Sequence, residues 1–173
     1  MRMHEYEKKD GFSLVELIIA IAILTIFVGT VSLSFALLRN ADTKGLASGI
    51  NDSLTDLKAR TESGNGPFYL HIYKIDDRGY YANISGDEDF DGTAADTSQD
   101  TRLGQASLNV ASNGGDDPLE LAGDGSNHIT IQMRKKDGAY EICPDDIEVR
   151  NGDRIDFKVI MVKDTGLHYM EQQ

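Results

Sequence analysis

Phe12 to Leu38 is an apolar run in which Glu16 is the one ionisable side chain, and it constrains this chain more than any other stretch. As a helix at about 1.5 Å per residue the run spans about 40 Å, enough to cross a hydrocarbon core with some tilt. It is too long for the core of an ordinary secretory signal, about 7–15 apolar residues. No small-x-small cleavage site followed at once by a soluble domain closes it. A carboxylate inside such a segment costs about 2.5–3.5 kcal/mol near the bilayer centre, and Glu16 sits nearer one end. An intramembrane charge therefore marks a functional position that needs a partner.

Beyond Leu38 the apolar residues thin to Ala41, Leu46, Ala47, Ile50, Leu54 and Leu57, spaced largely three and four apart along one helical face. Gly64-Asn65-Gly66-Pro67 then stops the pattern. One helix is predicted from about Phe12 to Thr61, greasy all round in its first half and amphipathic in its second. The first half faces lipid or other helices, and the second packs on a globular domain. Gly29, Gly45 and Gly49 weaken the helix by about 1 kcal/mol each relative to Ala. They serve either bending or close helix packing.

The remainder reads as β-structure. Phe68–Ile75, a turn at Asp76–Gly79 and Tyr80–Ile84 make a first hairpin. His128–Arg134, Ala139–Ile142, Ile147–Arg150 and Ile155–Val162 predict a C-terminal antiparallel sheet of about four strands, with a turn at Asn151-Gly152-Asp153. The fold class is α+β, a long N-terminal helix on an antiparallel sheet. With 29 acidic against 17 basic residues the net charge is -12, which argues against nucleic-acid binding, since phosphates demand Lys and Arg. The one cysteine, Cys143, cannot close a disulfide within the chain, and a buried inert thiol is its expected state.

The head Met1–Gly11 carries Arg2, Lys8 and Lys9 against Glu5, Glu7 and Asp10, and Gly11 stands where charge gives way to grease. Together, Gly11-Phe12-Ser13-Leu14-Val15-Glu16 and the apolar helix resemble the class III signal of type IV prepilins and pseudopilins. That resemblance covers the first third of the chain. It implies a pilin-like fold and a cut by prepilin peptidase between Gly11 and Phe12, with methylation of the new N-terminal Phe12. It also implies that Glu16, the fifth mature residue, pairs with the N-terminal amine of a neighbouring subunit during assembly. Attraction between those charges strengthens several-fold as the effective dielectric falls. The orientation it implies keeps the head in the cytoplasm and the C-terminal portion outside. Loss of the head would leave the net charge unchanged, because three basic and three acidic residues leave together.

Ser85–Arg102 stands apart. Asp87, Asp89 and Asp91 alternate before Gly92, matching the opening of an EF-hand-type calcium loop. The twelfth position is Ser98 rather than Glu, so Asp96 or Asp100 would have to stand in, and no flanking helices are apparent. The readings are a Ca²⁺ site at Asp87, Asp89, Asp91 and Asp96, which some pilins and pseudopilins possess, or a solvated acidic loop. A second acidic patch, Gly114–Pro118 with Gly123-Asp124-Gly125, reads as turns. Catalysis finds no motif: His71 and His128 fall in strand patterns, and there is no His-Glu-x-x-His, no Gly-x-Ser-x-Gly and no phosphate loop.

The expected organisation is a leader (1–11), a transmembrane and assembly segment (12–38), an amphipathic helical segment (39–62) and an extracytoplasmic β-rich domain (63–173). The expected function is a non-enzymatic filament subunit held in the plasma membrane and then polymerised on the cell surface. Its expected partners are other pilin subunits, prepilin peptidase, the inner-membrane assembly platform and lipid, without direct nucleic-acid contact. The alternatives are a pseudopilin of a type II secretion or competence apparatus and, from another class, a binding domain or enzyme tethered by an uncleaved signal anchor.

Overall fold

The computed structural model describes residues 13–114 and 118–173. The chain divides into two compact units, the first ending at Leu38 and the second comprising Arg39–Gln173. Helix α1 runs Leu14–Ser63. In the first unit its large apolar side chains from Leu14 to Val28 are 51% to 75% exposed. Among the described residues no helix is long and apolar enough to cross a membrane. The crossing expected at 12–38 also draws on Phe12 and on the side chains of 29–38, which lie outside the described residues.

In the second unit the helical face read from the sequence is buried from Leu46 onward: Leu46, Ala47, Ile50, Leu54 and Leu57 are each at most 1% exposed, whereas Ala41 is exposed. Burying a Leu or Ile side chain fully contributes about 1.5–3 kcal/mol. Gly49 lies against Leu103, whose Cδ2 would sit 3.3 Å from a Cβ added there, whereas Gly45 faces open space. Close packing thus accounts for Gly49. The helix ends where the glycines begin, with Gly64 N–H donating to Arg60 O at 2.7 Å and Lys135 Nζ donating to the Gly64 carbonyl.

Ten strands follow. They are β1 (Tyr69–Ile75), β2 (Gly79–Ser85), β3 (Thr101–Gly104), β4 (Asn109–Asn113), β5 (Leu119–Glu120), β6 (Asp124–Met133), β7 (Tyr140–Ile142), β8 (Asp146–Asn151), β9 (Arg154–Val162) and β10 (Leu167–Gln172). They form two five-stranded antiparallel sheets, ordered β3-β2-β1-β6-β7 and β10-β9-β8-β4-β5. The α+β class holds, but the expected single sheet of about four C-terminal strands beside a separate hairpin is corrected. The first hairpin joins β6 and β7, with Leu70 opposite Ile131 and Ile72 opposite Ile129, while β8 and β9 belong to the other sheet. The reason is burial. The inward residues of β1 and β6, those of β8 and β9, and the helical leucines complete one apolar cluster, which a single four-stranded sheet would leave half open. The Asn151-Gly152 turn lies where expected, with Gly152 at φ 64, a conformation that favours glycine.

Candidate functional site

Two regions hold the residues singled out by sequence. The first is the N-terminal turn of α1. Val15 N–H donates to Ser13 Oγ at 3.2 Å, and Ser13 N–H donates to Glu16 Oε2 at 3.3 Å. Ser13 thus caps the helix and Glu16 reaches back to it, the reciprocal arrangement of a capping box. The carboxylate also lies at the positive end of the helix dipole. Glu16 is exposed and on the same turn as Leu14, Val15 and Leu17, all exposed apolar residues. Ser13 was not read as functional from sequence, although the Ser-x-x-Glu spacing that signals such a cap was present. Gly11 and Phe12, the expected cleavage and methylation positions, lie outside the described residues.

The second region is the acidic segment after β2, where the carboxylates of Asp91, Asp96 and Asp100 each hold hydrogen bonds within the protein. Asp91 Oδ1 accepts from Thr93 N–H at 3.0 Å and Thr93 Oγ1 at 2.6 Å, capping a 3-10 turn at Gly92–Ala94. These bonds, the hydroxyl's first, hold its carboxyl below the ordinary value. Asp96 Oδ1 accepts from Ser98 N–H at 3.0 Å, and the hydrogen bonds from Ser98 lower its carboxyl likewise. Asp87 contributes its backbone carbonyl, which accepts from His71 Nε2 at 3.0 Å, while Asp89 is exposed. Asp100 accepts from Tyr73 Oη and, at 2.5 Å, from Asn83 Nδ2. The four expected calcium ligands are therefore not brought together. Among the described residues no group of three or more His, Cys, Asp or Glu side chains is arranged to hold a metal ion.

Gly92, which fitted the sharp turn of a calcium loop, has another role here. It packs backbone to backbone on Gly125, and a Cβ on either residue would fall within 2.5–2.6 Å of the other's carbonyl oxygen. Phe90 stacks on His71 with ring centroids 4.7 Å apart and planes 7° apart, and His128 meets both rings edge-on at 5.3 Å. Burial lowers both imidazoles below their ordinary value. The segment is a strap fastened over one sheet by Phe90 and Gly92. Of the second acidic patch, 115–117 lie outside the described residues, and Asp124 Oδ1 accepts from Ser126 N–H at 2.9 Å. Cys143 is half-buried and unpaired, and burial pushes its thiol up, away from the reactive thiolate.

Residues 8–32 match the family model of the prokaryotic N-terminal methylation motif. The chain thus carries, over those residues, the class III signal of type IV pilins and pseudopilins, a structural rather than an enzymatic class. The matched stretch holds Gly11, Phe12 and Glu16 and most of the exposed apolar side chains of α1. Neither a curated protein nor a solved structure matches the chain.

Proposed function

We propose that the chain is the precursor of a type IV pilin-like filament subunit. In this reading 1–11 is a leader removed between Gly11 and Phe12, Phe12 is methylated, and 12–38 anchors the subunit in the plasma membrane. The segment 39–62 docks that helix on the extracytoplasmic domain 63–173. Assembly then transfers the apolar helix from lipid to the helices of other subunits on the cell surface. Glu16 pairs there with a neighbour's N-terminal amine, which offsets the cost of burying both charges. The chain performs no catalysis; prepilin peptidase and the assembly platform act on it.

The observation that carries this reading is the methylation motif at 8–32 running into a helix turn whose apolar side chains are exposed all round. A helix apolar on every side is stable in water only when lipid or protein covers it. A pilus subunit and a pseudopilin of a secretion or competence apparatus share this signal, so the reading spans both.

The test is the mass of the N-terminal peptide from cells with an active prepilin peptidase. A peptide beginning at N-methylated Phe12 is expected, and recovery of the chain in sheared filaments would then favour a pilus over a secretion apparatus. An intact Met1–Gly11 head would overturn the reading in favour of a domain tethered by an uncleaved anchor.

A further inference from the structure

Strand β10 is an edge strand, paired only with β9. Its outward residues Leu167 and Tyr169 are exposed, and Met170 packs partly against the core. Among the described residues, its only side-chain hydrogen bonds to other elements come from His168. The ring bridges two elements: Nδ1 lies 2.9 Å from Tyr140 Oη on β7, and Nε2 lies 3.1 Å from Thr55 Oγ1 on α1.

The direction of these bonds follows from the last link. Thr55 Oγ1 donates its own proton to Asn51 O at 3.1 Å, so it accepts from His168 and Nε2 carries the hydrogen. Nδ1 is then the acceptor for the Tyr140 hydroxyl, which is 1% exposed. The protons run one way, from Tyr140 through His168 and Thr55 to the carbonyl of Asn51.

We propose that Tyr140, His168 and Thr55 form a proton-sensitive clasp: with a neutral imidazole it fastens β10 to α1 and β7, and protonation of His168 loosens the strand. Once Nδ1 carries a proton it can only donate, so the bond to Tyr140 Oη reverses and the buried phenolic hydrogen must turn away from the ring, where it is left without its acceptor. Of the other groups facing the ring, Lys58 on α1 brings like charge and makes the ring's charge harder to hold, while the thiol of Cys143 behind Tyr140, pushed up by burial, carries none. The backbone of Gly166 alone favours the cation, and no carboxylate acts on the ring among the described residues. Burial, and after it Lys58, lowers the imidazole below its ordinary 6.5. A base whose folded value is depressed keeps the clasp intact above 6.5 and loses it as pH falls from there toward the folded value. Such loosening would bare the far edge of β9, a row of unpaired backbone groups able to accept a strand.

The clasp lies beyond the filament reading, and its test uses the isolated full chain in detergent micelles, so the two fail separately. Protection of the 167–172 amides against hydrogen exchange, corrected for intrinsic rate, is compared between about pH 7.5 and about pH 5. The wild type is expected to lose about tenfold at these amides, as for one buried O–H left without its acceptor, while β1 stays protected. His168→Gln keeps a donor and an acceptor but does not titrate, and should hold the same protection at both values. Tyr140→Phe removes the hydroxyl that protonation strands, and should shrink the loss. Equal wild-type protection at both pH values, or an undiminished loss in His168→Gln or Tyr140→Phe, would overturn the clasp.

Discussion

Glu148 alternates with Ile147 and Val149 along β8 and points away from the core, yet its side chain is only 5% exposed. Lys158 closes over it at 2.7 Å from β9, and Arg150 pairs with it from along its own strand. Burial alone would raise this carboxyl; the hydrogen bonds from Lys158, Arg150 and Asn113 outweigh it and hold the group below its ordinary 4.5. A depressed carboxylate contributes stability that is present above pH 4.5 and lost as pH falls through the folded value. The urea midpoint should therefore drop on acidification below that point, and Glu148→Gln should flatten the drop. Glu148→Ala, which strands two cations beside a desolvated site, should cost about 2–3 kcal/mol at neutral pH in the same titration. The alternating charges of Asp146, Glu148 and Arg150 were legible in sequence, but not which cross-strand lysine meets them. Register settles that, placing Lys158 opposite Glu148. The acidic segment is ambiguous for a related reason: the spacing of Asp87, Asp89 and Asp91 is shared by a calcium loop and by a strap in which Asp91 caps a 3-10 turn. The contact of Gly92 with Gly125 that fastens the strap depends on residues remote in sequence. Gly92→Ala should accordingly destabilise the fold by about 1–3 kcal/mol, read as a lowered thermal midpoint.

The two halves of α1 answer to different surroundings, and substitutions should separate them. Leu54→Ala, at a fully buried site, is expected to cost about 2–5 kcal/mol in denaturant titration. Ile21→Asp, at a site 53% exposed, should leave that unfolding midpoint within about 0.5 kcal/mol and instead lower partition of the chain into lipid vesicles. A vesicle affinity unchanged by Ile21→Asp would argue against lipid as the cover for this segment. The helix was legible because its periodicity and its glycine stop are local signals. Strands β1, β2, β6, β8 and β9 were legible from runs of branched and aromatic residues. Strands β3, β4 and β10 were not: Thr101–Gly104, Asn109–Asn113 and Leu167–Gln172 are short or polar and owe their form to the neighbour they pair with. His168 was hidden with them, since its significance depends on Thr55 and Tyr140, both remote in sequence.

Across the whole molecule the net charge of -12 sets copies of the chain against one another. Self-association in micelles should strengthen as the Debye length shrinks from about 30 Å at 0.01 M salt to about 8 Å at 0.15 M. Association that weakens with added salt would point instead to attraction between opposite charges. The sheet order carries a consequence in time. Central strand β1 finds its partner β6 far downstream, with Tyr69 opposite Gln132 and Ile75 opposite Asp124, and β4 must wait for β8. The first sheet cannot close until the chain has been made as far as Ile142, nor the second until Gln172, and pairings of such long range form over milliseconds to seconds. The apolar stretch of α1, by contrast, leaves the ribosome before any strand of either sheet. If that stretch anchors the chain in a membrane as proposed, the chain is held by its greasy end while the remainder is still searching for its shape, and the segment would act as a tether during folding well before it serves as a fixture of the finished protein.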